Sequence, residues 1–213
     1  MTLYLVTAVG CYLIGSFPTA YVVVKVASHS DIRYAGTGNV GGLNAYEVTH
    51  SRTAGTIVIL VDALKGAAAL LATRLFLNSS GTALSLAFFS VVIGHCYPVW
   101  LKFHGGRGLA TAAGGMMFIG WFFVALWMSV WLVAGFFSKN IHIRNVSAIL
   151  MSPVIVSMIP HPLIQELIQP EFSSNQFIAL AFIVCGLLLL RHIQPLRELT
   201  NASKGIDTQN KMM

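Results

Sequence analysis

Residues Ala112–Phe137 read AAGGMMFIGWFFVALWMSVWLVAGFF, 26 positions without a charge. The direct reading is one long membrane helix. The alternative is two crossings, a short one from Arg107 to about Ile119 and a second over Gly120–Phe137. Gly114, Gly115 and Gly120 supply places for a short or bent first crossing. The choice sets the topology of everything downstream, and the cations make it. A single helix gives six spans. Lys25, Arg33, Arg52, Lys102 and Arg107 then lie inside, with Arg74, Lys139, Arg144, Arg191, Arg197, Lys204 and Lys211 outside. That runs against the positive-inside rule. With two crossings, every cation except Arg74 and the intramembrane Lys65 lies inside. We therefore expect an all-α integral membrane protein with seven membrane segments, an outer N-terminus and a cytoplasmic C-terminus.

Composition points the same way. The 213 residues are 56% hydrophobic and 9% charged, with a mean hydropathy of +0.75, whereas soluble domains carry roughly 25% charged residues. Long unbroken apolar runs argue against the period-2 alternation of a membrane barrel. The net charge of +6 is spread over connecting segments without interleaved aromatics. It suits anionic headgroups and not nucleic acid. Cys11, Cys96 and Cys185 lack zinc-ligand spacing and read as buried small hydrophobes. Neither a metal nor a cofactor is expected.

Working outward, the other expected spans are Thr2–Val26, with Pro18 inside it, then Thr53–Leu77, Thr82–Leu101, Val146–Ile164 and Gln176–Leu190. Residues 1–199 form one polytopic domain, and 200–213 a disordered cytoplasmic tail. The loops 28–52, 102–111 and 138–145 and the start of the tail share the cytoplasmic face. The outer connections, Asn78–Gly81 and about His161–Asn175, lack glycine clusters and are poor in cations.

Two of the inner loops could hold phosphate. The first reads Asp31-Ile-Arg-Tyr-Ala-Gly-Thr-Gly-Asn-Val-Gly-Gly-Leu-Asn44. Its glycines, with Thr37, Asn39 and Asn44, suit a backbone nest of N–H donors. Gly36-x-Gly38-x-x-Gly41 matches the dinucleotide fingerprint formally, but no strand precedes it. The second is Gly105-Gly-Arg-Gly108, with Arg107 as the cation. A flexible loop and a headgroup-facing turn are the simpler readings of each. Asp62 and Lys65 lie three apart on one helical face. They either pair with each other, or Lys65 reaches a substrate phosphate. His95 and His192, both at cytoplasmic ends of spans, could orient a phosphate or shuttle a proton, or be structural. The aromatic residues of 118–137 suit lipid contact, helix packing or an acyl chain.

Taken together, these motifs resemble one family. Gly15-Ser16 and Pro18, Asp31-Ile-Arg33, Gly36-Thr-Gly-Asn-Val-Gly41 with Asn44, Asp62-x-x-Lys65-Gly66, Gly94-His95-x-x-Pro98, Gly105–Gly108 and Arg191-His192 appear in matching order. They resemble the acyl-phosphate-dependent glycerol-3-phosphate acyltransferases, the PlsY family, a seven-helix bacterial membrane enzyme. The resemblance implies transfer of an acyl group from acyl phosphate to the 1-hydroxyl of glycerol-3-phosphate on the cytoplasmic face of the plasma membrane. The products are lysophosphatidic acid and phosphate, the first step of phospholipid synthesis. It implies catalytic roles for Thr37, Arg107 and His192. Binding roles fall to Arg33, Gly36, Gly38, Asn39, Gly41, Asn44, Lys65, His95, Gly105, Gly106 and Gly108. The implied partners are the two substrates, membrane lipid and the enzyme that makes acyl phosphate.

Thr37 stands where the family has Ser, and Arg107 where it has Lys. Glu47 replaces an Arg and Pro195 an Asn, and Lys204 falls near a family acidic residue. Thr37 keeps a hydroxyl and Arg107 a charge, whereas Glu47 and Pro195 favour an alternative, a catalytically impaired member that binds lipid phosphate or acts as a membrane interaction partner.

Overall fold

A computed structural model describes all residues except 78, 199, 200 and 202–213. Apart from Asn201, the expected tail therefore lies outside the described residues. The described residues include the helices α1 (Thr2–Ser16), α2 (Thr19–Ser28), α3 (Gly42–Thr49), α4 (Arg52–Phe76), α5 (Gly81–Cys96), α6 (Leu109–Phe137), α7 (Ile141–Ser157), α8 (His161–Leu167) and α9 (Ser174–Leu190). A further helical stretch covers 193–198, and the described residues contain no strand. Among the described residues, four stretches are long and apolar enough to cross a bilayer: Thr2–Ser28, Arg52–Phe76, Gly81–Leu101 and Leu109–Phe137. A fifth candidate is the α7–α8 pair, bent by 116°, and α9 is a shorter apolar helix. Leu60, Leu64, Leu75, Phe136 and Phe137 are exposed, as lipid-facing side chains should be.

The first span is two helices, not one. Pro18 has no N–H to donate, and the backbone opens between Ser16 and Thr19. Lys65 fills the gap, donating to the carbonyls of Phe17 at 2.8 Å and Gly15 at 3.4 Å. Freed carbonyls in hydrocarbon need such a partner.

The long apolar run is interrupted at Gly120, where a single residue turns extended (φ −166°, ψ 91°). The residues that flank α6 on either side come together. The start of α7 lies level with Arg107, because His142 touches it. The far end of α7 leads through α8 to Gln169, whose N–H bonds the Ile119 carbonyl at 2.8 Å. The limb after Gly120 must therefore run back toward the start of α7. Trp131 marks that return, donating to Asn145 Oδ1 at 2.8 Å.

Backbone-to-backbone contact at glycines holds the bundle together. Gly15 of α1 lies on the Val91 carbonyl of α5, and Gly94 of α5 on the Tyr12 carbonyl of α1. Gly66 of α4 and Gly114 of α6 make the corresponding contacts with Thr111 and Ala63. Small residues permit this approach where apolar association gives no drive between helices in lipid. Phe88, Leu84, Val91 and Phe177 fill the interior between them, and all three cysteines are buried.

The region 138–145 corrects an expectation. It is not a loop throughout, because Asn140 caps α7 and starts it at Ile141. Asn140 Oδ1 accepts the N–H groups of His142 and Ile143. The expected Val146–Ile164 span likewise ends early, at Ser157, and Pro160 opens α8.

Candidate active site

The first glycine loop is ordered from within. Arg33 forks onto Asp31, Nε to Oδ1 at 3.0 Å and Nη2 to Oδ2 at 2.6 Å, and lies over the rings of Tyr21 and Tyr34. The Arg33 hydrogen bonds hold the Asp31 carboxyl below its ordinary range. Gly36 and Gly38 take left-handed φ values of 58° and 71°, which bend the chain around Asn44. The buried Asn44 amide donates to the carbonyls of Ala35 and Asn39, and its oxygen accepts the Thr37 N–H at 2.9 Å. The Thr37 side chain is exposed, with Oγ1 3.5 Å from the Asn39 N–H.

The second glycine turn packs on the end of α5. The Gly106 N–H bonds the His95 carbonyl at 3.2 Å. A methyl group at 106 would strike both the His95 ring and the Val40 carbonyl, so this is where the two glycine loops meet. Arg191 locks the turn, donating from Nε to the Gly106 carbonyl and from Nη2 to the Gly105 carbonyl, each at 3.1 Å, while lying over Tyr97. Gly108 (φ 84°) then turns the chain into α6.

A cavity of about 390 Å³ opens beneath these loops, within the size range of small-ligand sites. Its polar lining comes from the half-buried Asn39, Gly41, Arg107 and His142 and from the buried Asp62, His95 and Asn145. Its walls are Met116, Phe123, Val124, Trp127, Trp131 and Leu188. Arg107 is half-buried, and burial lowers its guanidinium from the ordinary value, partly offset by Glu198 and Glu47. It stays charged, since arginine does not deprotonate in proteins.

Of the expected residues, Asn39, Gly41, His95, Arg107 and Gly108 line this cavity. Thr37, Arg33, Gly36, Gly38, Asn44, Gly105 and Gly106 shape its loops from behind. Lys65 is committed elsewhere: besides its two carbonyls, Nζ lies 2.8 Å from Asp62 Oδ1, an ion pair by distance outside hydrogen-bond angles. Asp62 Oδ1 in turn lies 3.8 Å from His95 Nδ1. His192 stands behind Leu188. Its Nδ1 donates to the Leu188 carbonyl at 2.8 Å, and its buried Nε2 has no partner among the described residues. Burial pushes His192 down to about 4.

Two residues at the cavity escaped the sequence reading, His142 and Asn145, whereas Trp131 falls in the aromatic stretch expected to meet lipid, helix or acyl chain. The signal that could have found them is Asn140, a helix cap just ahead of an apolar run.

Fold and site define a polytopic membrane protein with a cavity that joins the Arg107 guanidinium to hydrocarbon walls. The family profile described as "Glycerol-3-phosphate acyltransferase" matches residues 5–202. A protein of that name from Gluconobacter oxydans is 37% identical over 176 residues, 77% of this chain and 83% of its own. Its namesake from Nitrobacter winogradskyi is 31% identical over 91% of both chains. The crystal structure of PlsY (YgiH), an integral membrane glycerol 3-phosphate acyltransferase, in its glycerol 3-phosphate form superposes with a TM-score of 0.77. That match has 23% identity and covers 93% of this chain and 92% of that one. The chain belongs to the glycerol-3-phosphate acyltransferase family and is an acyltransferase.

Proposed function

We propose that the protein transfers the acyl group of acyl phosphate to the 1-hydroxyl of glycerol-3-phosphate, giving lysophosphatidic acid and phosphate. The observation that carries this is the cavity lining, which combines the Arg107 guanidinium, Asn39 and His142 with hydrocarbon walls from Met116 to Trp131. An acyl phosphate has the same two halves. The hydroxyl oxygen attacks the acyl carbon, the carbon–oxygen bond to phosphate breaks, and the hydroxyl proton passes to a phosphate oxygen. The mixed anhydride is already activated, so no covalent enzyme intermediate is required. Arg107 neutralises charge on the departing phosphate, and holding both substrates in attack geometry supplies much of the acceleration. Thr37 positions a phosphate at the loop surface, with Arg33 and Asn44 keeping that loop in shape. His192, buried behind Leu188, positions that wall residue beside the acceptor without touching the acceptor itself.

The chain crosses the bacterial plasma membrane seven times in this reading, counting both limbs of α6, with the N-terminus outside. The polar lining of the cavity then faces the cytoplasm, where both phosphorylated substrates are found and where the enzyme making acyl phosphate would deliver its product. The test is phosphate release from acyl phosphate by purified protein, with and without glycerol-3-phosphate. Release that depends on the acceptor, with lysophosphatidic acid appearing in step, is expected. Absence of both overturns the reading.

A further inference from the structure

Arg107 and His142 stand 35 positions apart in sequence and meet at the cavity wall, Nη1 to Nδ1 at 3.4 Å. A guanidinium has five donors and no acceptor. The imidazole nitrogen facing it must therefore be the acceptor, and His142 carries its proton on Nε2. The His142 backbone is fixed independently of Arg107. Asn140 Oδ1 accepts the His142 N–H at 2.9 Å, fixing the first turn of α7. Arg107, by contrast, lies on a turn between two glycines, on a long side chain with much rotamer freedom to lose. Glu47, on the exposed face of α3, and Glu198 both attract its charge. Without a second tether, the guanidinium would favour carboxylates outside the cavity.

We propose that His142 is a positioning residue that accepts a hydrogen bond from Arg107, holds its guanidinium at the cavity wall, and so sets the affinity of the site for phosphate. This rests on the reading of Arg107 as a phosphate ligand. It assigns a role to a histidine whose sequence context carries no motif. It also explains why the N-terminal turn of α7 is pinned beside the glycine turn.

The geometry makes an isostere prediction. The amide of His142→Asn falls near the position of Nδ1, and that of His142→Gln near Nε2. His142→Phe keeps the ring volume and removes the acceptor. The full-length protein in lipid nanodiscs would be titrated with inorganic phosphate, read as thermal stabilisation. It would then be assayed with acyl phosphate and glycerol-3-phosphate. We expect His142→Phe and His142→Gln to weaken phosphate binding and raise KM about tenfold, with kcat within about threefold. His142→Asn should stay within about threefold of wild type. Equal behaviour of the Asn and Gln variants, or unchanged phosphate binding in His142→Phe, overturns the proposal. The Asn–Gln comparison decides it if the Phe variant fails to fold. Phosphate binding by wild type without acyl transfer would overturn the acyltransferase reading alone, leaving the His142 comparison intact.

Discussion

The Lys65 ammonium stands 2.8 Å from the carbonyl oxygen of Phe17, bridging α4 to the gap that Pro18 opens in the first span. The same ammonium faces Asp62, so one buried cation satisfies a broken helix and a buried carboxylate together. Removing one partner of a buried pair leaves an uncompensated charge, at a cost of about 3–5 kcal/mol. Lys65→Met should therefore lower the unfolding midpoint in detergent sharply, while the KM of whatever protein folds stays near wild type. Normal stability with a raised KM would instead make Lys65 a substrate ligand.

Arg107 is the cation on the cavity wall, and its loss should appear in turnover. We expect Arg107→Ala to reduce kcat/KM by about 10²–10³, the range for losing one charged donor at a reacting centre. Arg107→Lys keeps the charge but loses the fork, and should retain more than a tenth of the activity. Initial rates in nanodiscs check both. Full activity in Arg107→Ala would remove this residue from the mechanism.

His192 is buried neutral, and burial holds it at about 4, below its ordinary value near 6.5. Below pH 6.5 the unfolded chain takes up a proton that the folded one refuses. The contribution to stability is thus whole above pH 6.5 and shrinks as pH falls toward 4, by on the order of 3 kcal/mol. Thermal unfolding between pH 4 and 7.5 should show this acid limb, and His192→Gln should flatten it. An identical slope in the variant would assign the limb to other groups.

Glu47 is exposed on α3 within the field of Arg107. Reversing its charge should raise the local positive potential, so Glu47→Arg is expected to lower KM for glycerol-3-phosphate about three- to tenfold. High salt should diminish the gain, because exposed charges are screened. Activity that appears only in Glu47→Arg combined with Pro195→Asn would favour the catalytically impaired reading of the natural chain.

Much of the fold was legible because polar atoms in a membrane leave few options. The interruption at Gly120 followed from counting cations, and the break at Pro18 from a missing N–H. The site was legible as two glycine loops on one face, and those loops do meet, at Val40 and Gly106. Partner choice was not legible. Whether Lys65 met Asp62, a carbonyl or a phosphate depended on a contact 48 positions away. His142 was hidden for another reason. Reading 138–145 as a polar loop gave its side chain no direction, whereas a helix capped by Asn140 points it at Arg107. Arg191 belonged to a recognisable motif, yet nothing in the motif said that its guanidinium clamps the carbonyls of Gly105 and Gly106.

The break at Gly120 also bears on how the chain enters the membrane during synthesis. The limb Leu109–Ile119 rises only about 16 Å, roughly half the hydrocarbon thickness. It is too short to be retained as an independent stop. On the proposed seven-segment reading, the first limb depends on the second for its place in lipid, and the two enter as a pair. On that reading, a product whose hairpin straightened into one crossing would carry α7 and α9 inverted. Arg191 would then emerge on the face opposite the glycine turn it clamps.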